Sequence, residues 1–103
     1  MAAITRSARL RERLARIQGE LKRVRSEERV LVEQVAFLAG VTDDAETRRL
    51  VAETPLADRE WQEAATNLDR HEQALREARE RAARLEADRD ALLDELIEME
   101  ETR

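Results

Sequence analysis

Residues 56–101 read LADREWQEAATNLDRHEQALREARERAARLEADRDALLDELIEMEE, with no glycine or proline anywhere in the run. Through it, Trp61, Ala64, Leu68, His71, Leu75, Ala78, Ala82, Leu85, Arg89, Leu92, Leu96 and Met99 follow one another at alternating steps of three and four. An α-helix turns once in about 3.6 residues, so such steps keep every one of these positions on a single stripe. Sustained this long, the stripe is the a/d seam of a coiled coil. The 46 positions predict a helical rod of roughly 69 Å. Just upstream, Thr54-Pro55 supplies a start signal. The threonine hydroxyl can cap the helix, and proline at the first helical position gives up an N–H that would have had no partner. A helix is therefore expected over about 55–101.

Working back toward the N-terminus, the same alternation returns in Leu10, Leu14, Ile17, Leu21, Val24, Leu31, Val35 and Leu38, with Glu28 at the one seam position that is not apolar. Gly40 follows the run almost directly, and glycine suits the left-handed residue that commonly closes a helix. These features predict a first helix over about 5–39, roughly 52 Å long. Between the two seams lies Val41-Thr42-Asp43-Asp44-Ala45-Glu46. Asp43 and Glu46 stand at capping-box spacing, with Thr42 a neighbouring candidate cap. A connector over about 41–54 with its own short helix is the resulting expectation.

Composition agrees with an all-α chain. Charged and hydrophobic residues each make up 42%, with two glycines, one proline and no tyrosine in 103 residues, which is room for one domain. A β or α/β domain needs more turn residues and more bulky core side chains. Without cysteine there is no disulfide framework, thiol nucleophile or cysteine-type zinc site. The first ten residues hold no continuous apolar run, so neither a secretory signal nor a membrane span is expected, and the cytoplasm is the expected location. Of nineteen basic residues only Lys22 is lysine, a bias that reads as a GC-rich bacterial genome rather than as chemistry.

Charge decides how the two helices pair. Residues 1–25 carry eight basic side chains against Glu12 and Glu20, a net +6, whereas residues 86–103 carry eight acidic ones against Arg89 and Arg103, a net −6. An antiparallel hairpin lays these ends side by side, while parallel self-pairing sets like against like. Exposed pairs contribute only about 0.2–1 kcal/mol each, so they select direction more than they supply stability. The fold class expected is an all-α, long antiparallel coiled-coil helical hairpin with a short connecting helix. One register sets Leu10 near Leu92, Leu38 near Ala64, and Glu28 near His71 or Leu75.

The seam is thin, because Ala64, Ala78 and Ala82 are small and His71 and Arg89 polar. Val30, Val32, Phe37, Leu50, Val51, Leu93 and Ile97 lie off it. Exposed apolar groups in clusters mark a partner. The expected partners are a second copy, giving a homodimer with a four-helix section near the connector, and an unidentified protein. The candidate interaction surface comprises Phe37, Val41, Asp43, Asp44, Glu46, Leu50, Val51 and Trp61.

Few residues invite chemistry. His71 is the only histidine, and a base or metal ligand needs convergent neighbours that a helical rod does not offer. Glu28, His71 and Arg89 read instead as polar seam positions that fix register. Asp43, Asp44 and Glu46 read as helix-capping charge. The other reading, a divalent-metal site carried at a hairpin tip, is similar in idea to the Gre-type transcript cleavage factors, although no Gre-like motif surrounds these residues. Trp61 reads as a core plug ahead of an interface anchor. The arginine-rich N-terminal stretch could attract phosphate, but the chain is net −5, and no aromatic residues interleave with it for base stacking. There is no Gly-rich phosphate loop and no Ser/His/Asp set. The expectation is a non-enzymatic adaptor, scaffold or regulator acting through protein–protein contact, without cofactor, metal or membrane. The alternatives are a transcription-machinery accessory factor presenting an acidic hairpin tip, and a nucleic-acid-associated protein using the N-terminal helix.

Overall fold

A computed structural model describes residues 5–102; Arg103, counted in the C-terminal charge, lies outside them. Two helices make up the fold, α1 (Arg6–Ala52) and α2 (Pro55–Glu101), and the architecture is an all-α helical hairpin. Each helix begins on a threonine. The Ala8 N–H donates to Thr5 Oγ1 at 3.1 Å, and the Ala57 N–H donates to Thr54 Oγ1 at 3.2 Å. Both hydroxyls satisfy a backbone donor that the first helical turn leaves open. Pro55 then opens α2, as the Thr54-Pro55 pair predicts.

Gly40 does not end α1, and no separate connecting helix forms. Residues 40–52 continue α1 without a break, and no glycine takes a positive φ. A glycine inside a helix costs about 1 kcal/mol relative to alanine. Beyond it, however, the three-and-four spacing carries on through Thr42, Ala45 and Arg49, with Ala45 only 2% exposed. These residues are small or polar, so they do not read as a seam, yet buried Ala45 lets the helices approach closely there. Thr42 does not cap a helix; its hydroxyl donates to the Leu38 carbonyl at 2.8 Å within α1. Asp43 has no N-cap role either, since it stands well inside a helix.

The chain reverses at Glu53, whose φ of 50° is the left-handed conformation usually taken by glycine. Its N–H donates to the Arg49 carbonyl at 3.1 Å. This bond is the closure of a helix by a left-handed residue, satisfying a carbonyl that would otherwise be orphaned.

Two compact units divide the chain: Met1–Ser26 with Arg79–Arg103, and Glu27–Ala78. In the second, Leu31, Leu75 and fully buried Ala78 form a core cluster against which Val35 and Ala74 pack. In the first, Leu10, Leu21, Ala82 and Leu92 are buried. There the helices run antiparallel, as the end charges require. Arg6 pairs with Glu95 at 2.8 Å, Arg25 with Glu86 at 2.7 Å, and Arg11 lies 3.8 Å from Glu100. None of the seam positions named from the sequence is exposed.

The register in the second unit differs from the expected one by about a helical turn. Leu75 packs on Leu31, and His71 shares a hollow with Gln34 and Leu38, where the sequence set Glu28 near His71 or Leu75. In this unit α1 runs on to Ala52 and the chain reverses at Glu53.

Candidate interaction surface

Among the described residues, eight large hydrophobic side chains are exposed. Six of them, Val30, Val32, Phe37, Leu50, Val51 and Leu56, lie in the unit Glu27–Ala78. Helical phase sorts the five that lie on α1. Val30, Phe37 and Val51 fall on one flank of α1, to one side of the seam, while Val32 and Leu50 fall on the other. The first flank borders two depressions. Val30, Phe37 and Leu38 line a depression with Asn67 and His71 from α2. Nearer the turn, Arg48 and Val51 line another with Leu56, Ala57 and Glu60. Phe37 is 71% exposed and Val51 is 80% exposed, an arrangement that leaves apolar surface in water with none of the described residues to cover it.

Beside the turn the packing is close and partly polar. Ala45 and Ala57 are buried, and the Arg49 guanidinium stacks 4.2 Å above the centre of the Trp61 ring. Trp61 is therefore half-buried under an arginine, a cation–π contact that fixes both side chains. Arg49 also lies 4.0 Å from Glu46 one turn earlier, and its Nε is buried without a hydrogen-bond partner. The guanidinium face is thus satisfied by the ring more than by hydrogen bonds.

The remaining candidates are distributed rather than convergent. Asp43, Asp44 and Glu46 are exposed along α1, two to three turns ahead of the reversal, so the acidic cluster is not at the hairpin tip. No group of three or more His, Cys, Asp or Glu among the described residues is placed to hold a metal ion. Val41 is half-buried between the two hollows. Of the polar seam positions, Glu28, His71 and Arg89 are all half-buried. The His71 Nδ1–H donates to the Asn67 carbonyl of its own helix at 2.8 Å, and Arg89 donates to the adjacent Asp90 carboxylate at 3.1 Å.

Three contributors were not singled out from sequence. Leu56 follows Pro55 directly, and its signal was a large apolar residue just off the seam of α2. Arg48 and Arg49 fall within the stretch expected to be the connector and carried no motif of their own, although Arg49 sits at seam spacing from Thr42 and Ala45. Among the described residues, no helix is long and apolar enough to cross a membrane. No protein-family model, curated protein or solved structure matches this chain.

Proposed function

We propose that this is a non-enzymatic protein that works by protein–protein contact, as an adaptor, scaffold or regulator, using the turn-proximal half of its hairpin. The coiled-coil character of the seam belongs to the same proposal, since a heptad-patterned hairpin is a stiff element well suited to presenting a surface. One observation carries the reading: among the described residues, six of the eight exposed large hydrophobics gather in one unit, five of them on the flanks of α1. Isolated exposed apolar residues are ordinary; a clustered set, rimmed by Glu33, Arg48 and Glu60, has the make-up of a contact surface with an apolar centre and a polar edge.

A photo-crosslinking residue placed at Phe37 or at Val51 in the full-length chain tests this in the native host. Protein adducts are expected at both positions, and none at Gln73 on the polar side of α2. An equal yield at all three positions, or none at any, would remove the proposal.

A further inference from the structure

The partner of the Phe37 flank can be argued from its charge pattern, and this argument rests on the contact function just proposed. Phe37, Val41, Asp44, Arg48 and Val51 succeed one another at steps of four, three, four and three. They make a second heptad stripe on α1, beside the seam that packs on α2. Unlike the first stripe, this one is turned to solvent: all are exposed except Val41, which is half-buried. Its order is apolar, apolar, acidic, basic, apolar. Among the described residues neither Asp44 nor Arg48 has an ion-pair partner.

That order is self-complementary when read backwards. We infer that a second copy of this chain docks antiparallel on the stripe, with the two-fold axis level with Glu46. Asp44 then meets Arg48 of the second copy, Arg48 meets its Asp44, Val41 meets its Val51, and Phe37 reaches its turn at Pro55 and Leu56. Every contact occurs twice, as an isologous interface demands. Neighbouring registers are worse. Sliding by one heptad sets Phe37 against Arg48 and Val41 against Asp44. Sliding by two sets Val30 against Arg48 and Val51 against Glu27. Only the register centred on Glu46 puts apolar on apolar and opposite charge on opposite charge at each layer. The overlap runs over about 19 residues, roughly 28 Å of helix, so a four-helix section forms where the two turn-proximal ends pass one another. Exposed Leu56 gains a role here, as the surface that covers Phe37.

Charge reversal tests the register on the full chain. Asp44→Arg sets Arg against Arg in a symmetric pair, and Arg48→Asp sets Asp against Asp. Each alone is expected to weaken self-association by about tenfold or more, measured by sedimentation equilibrium. Mixing the two variants recreates both opposite-charge pairs, so a heterodimer of near wild-type affinity is expected, identified by its intermediate mass in native mass spectrometry. Asp69→Arg, an equal charge change on the polar side of α2, should leave association unaltered, and circular dichroism should show all variants fully helical. Single variants that associate as wild type does, or a mixture that stays dissociated, would overturn the register. A monomeric wild-type chain that still crosslinks other proteins from Phe37 would overturn self-docking while leaving the contact function standing. A crosslinker at Phe37 should mark the peptide of the second copy that contains Leu56; marking the Val41 peptide instead would place the axis elsewhere.

Discussion

The two units of this hairpin are built from the same seam spacing yet bind their helices together in different ways. In Met1–Ser26 with Arg79–Arg103, leucines at the seam are flanked by ion pairs that cross between the helices, Arg6–Glu95 and Arg25–Glu86 among them. Among the described residues there, only Leu93 and Ile97 leave large apolar surface exposed. In Glu27–Ala78 the helices close on alanines, on Leu31 against Leu75, and on the Arg49–Trp61 stack. That unit carries most of the exposed apolar residues. The difference separates two tasks. Opposite end charges make the pairing direction unambiguous, because like charges would face each other in the alternative. Small seam residues near the turn let the helices approach but bury little, and the large apolar side chains beside them stay exposed.

The sharpest break of that comparison is in the buried cluster. Leu75→Ala should lower stability by about 2–5 kcal/mol, read from urea unfolding. Amide exchange should then accelerate first across Glu27–Ala78; uniform acceleration along both helices would mean that the two units do not open separately.

Smaller effects should come from the backbone, and with the opposite sign. Glu53 holds a φ of 50°, which strains a residue with a Cβ by roughly 1 kcal/mol. Glu53→Gly should therefore stabilise the reversal by about that amount, raising the thermal midpoint. A loss of stability would show that the glutamate side chain contributes more than its backbone costs.

Gly40→Ala and Gly19→Ala probe one glycine in each unit. Neither position has a neighbour within 4 Å of where a Cβ would stand, so each change should stabilise by about 1 kcal/mol through helix propensity alone. If Gly40→Ala destabilises while Gly19→Ala does not, the two units differ in backbone as well as in side-chain packing.

The smallest effect tests the ion pairs. Arg25 and Glu86 are both more than a third exposed, so Arg25→Ala should cost about 0.2–1 kcal/mol at low salt. The difference from wild type should vanish in about 1 M salt, where the Debye length is about 3 Å. Persistence of the loss at high salt would show that the arginine stem packs on the seam.

Much of this was legible in the one-dimensional pattern. The alternation of three and four placed every named seam position correctly, because a helix converts spacing into direction with no help from the rest of the molecule. Thr54-Pro55 marked the start of α2, because capping chemistry is local. The polarity of the ends predicted the antiparallel direction that the Arg6–Glu95 and Arg25–Glu86 pairs mark, because opposite net charges leave one favourable arrangement. The off-seam positions of Phe37 and Val51 also announced their exposure. Gly40 misled, since a local penalty of about 1 kcal/mol is smaller than what burying Ala45 and continuing the helix contribute together. Nothing in Glu53 marks it as the reversal: its conformation is imposed by the two helices it joins.

Sequence alone therefore determined helix content, the faces that meet and the direction in which they run, each being a property of spacing or of charge sign. Tertiary structure decided where the chain turns and so the register, because sliding one helix past another changes which small residues nest together without altering either pattern. It decided also that Trp61 lies beneath Arg49, and that Phe37, Val51 and Leu56 stand on the same side. Those are relations between helices, and they exist only once the length of α1 is settled.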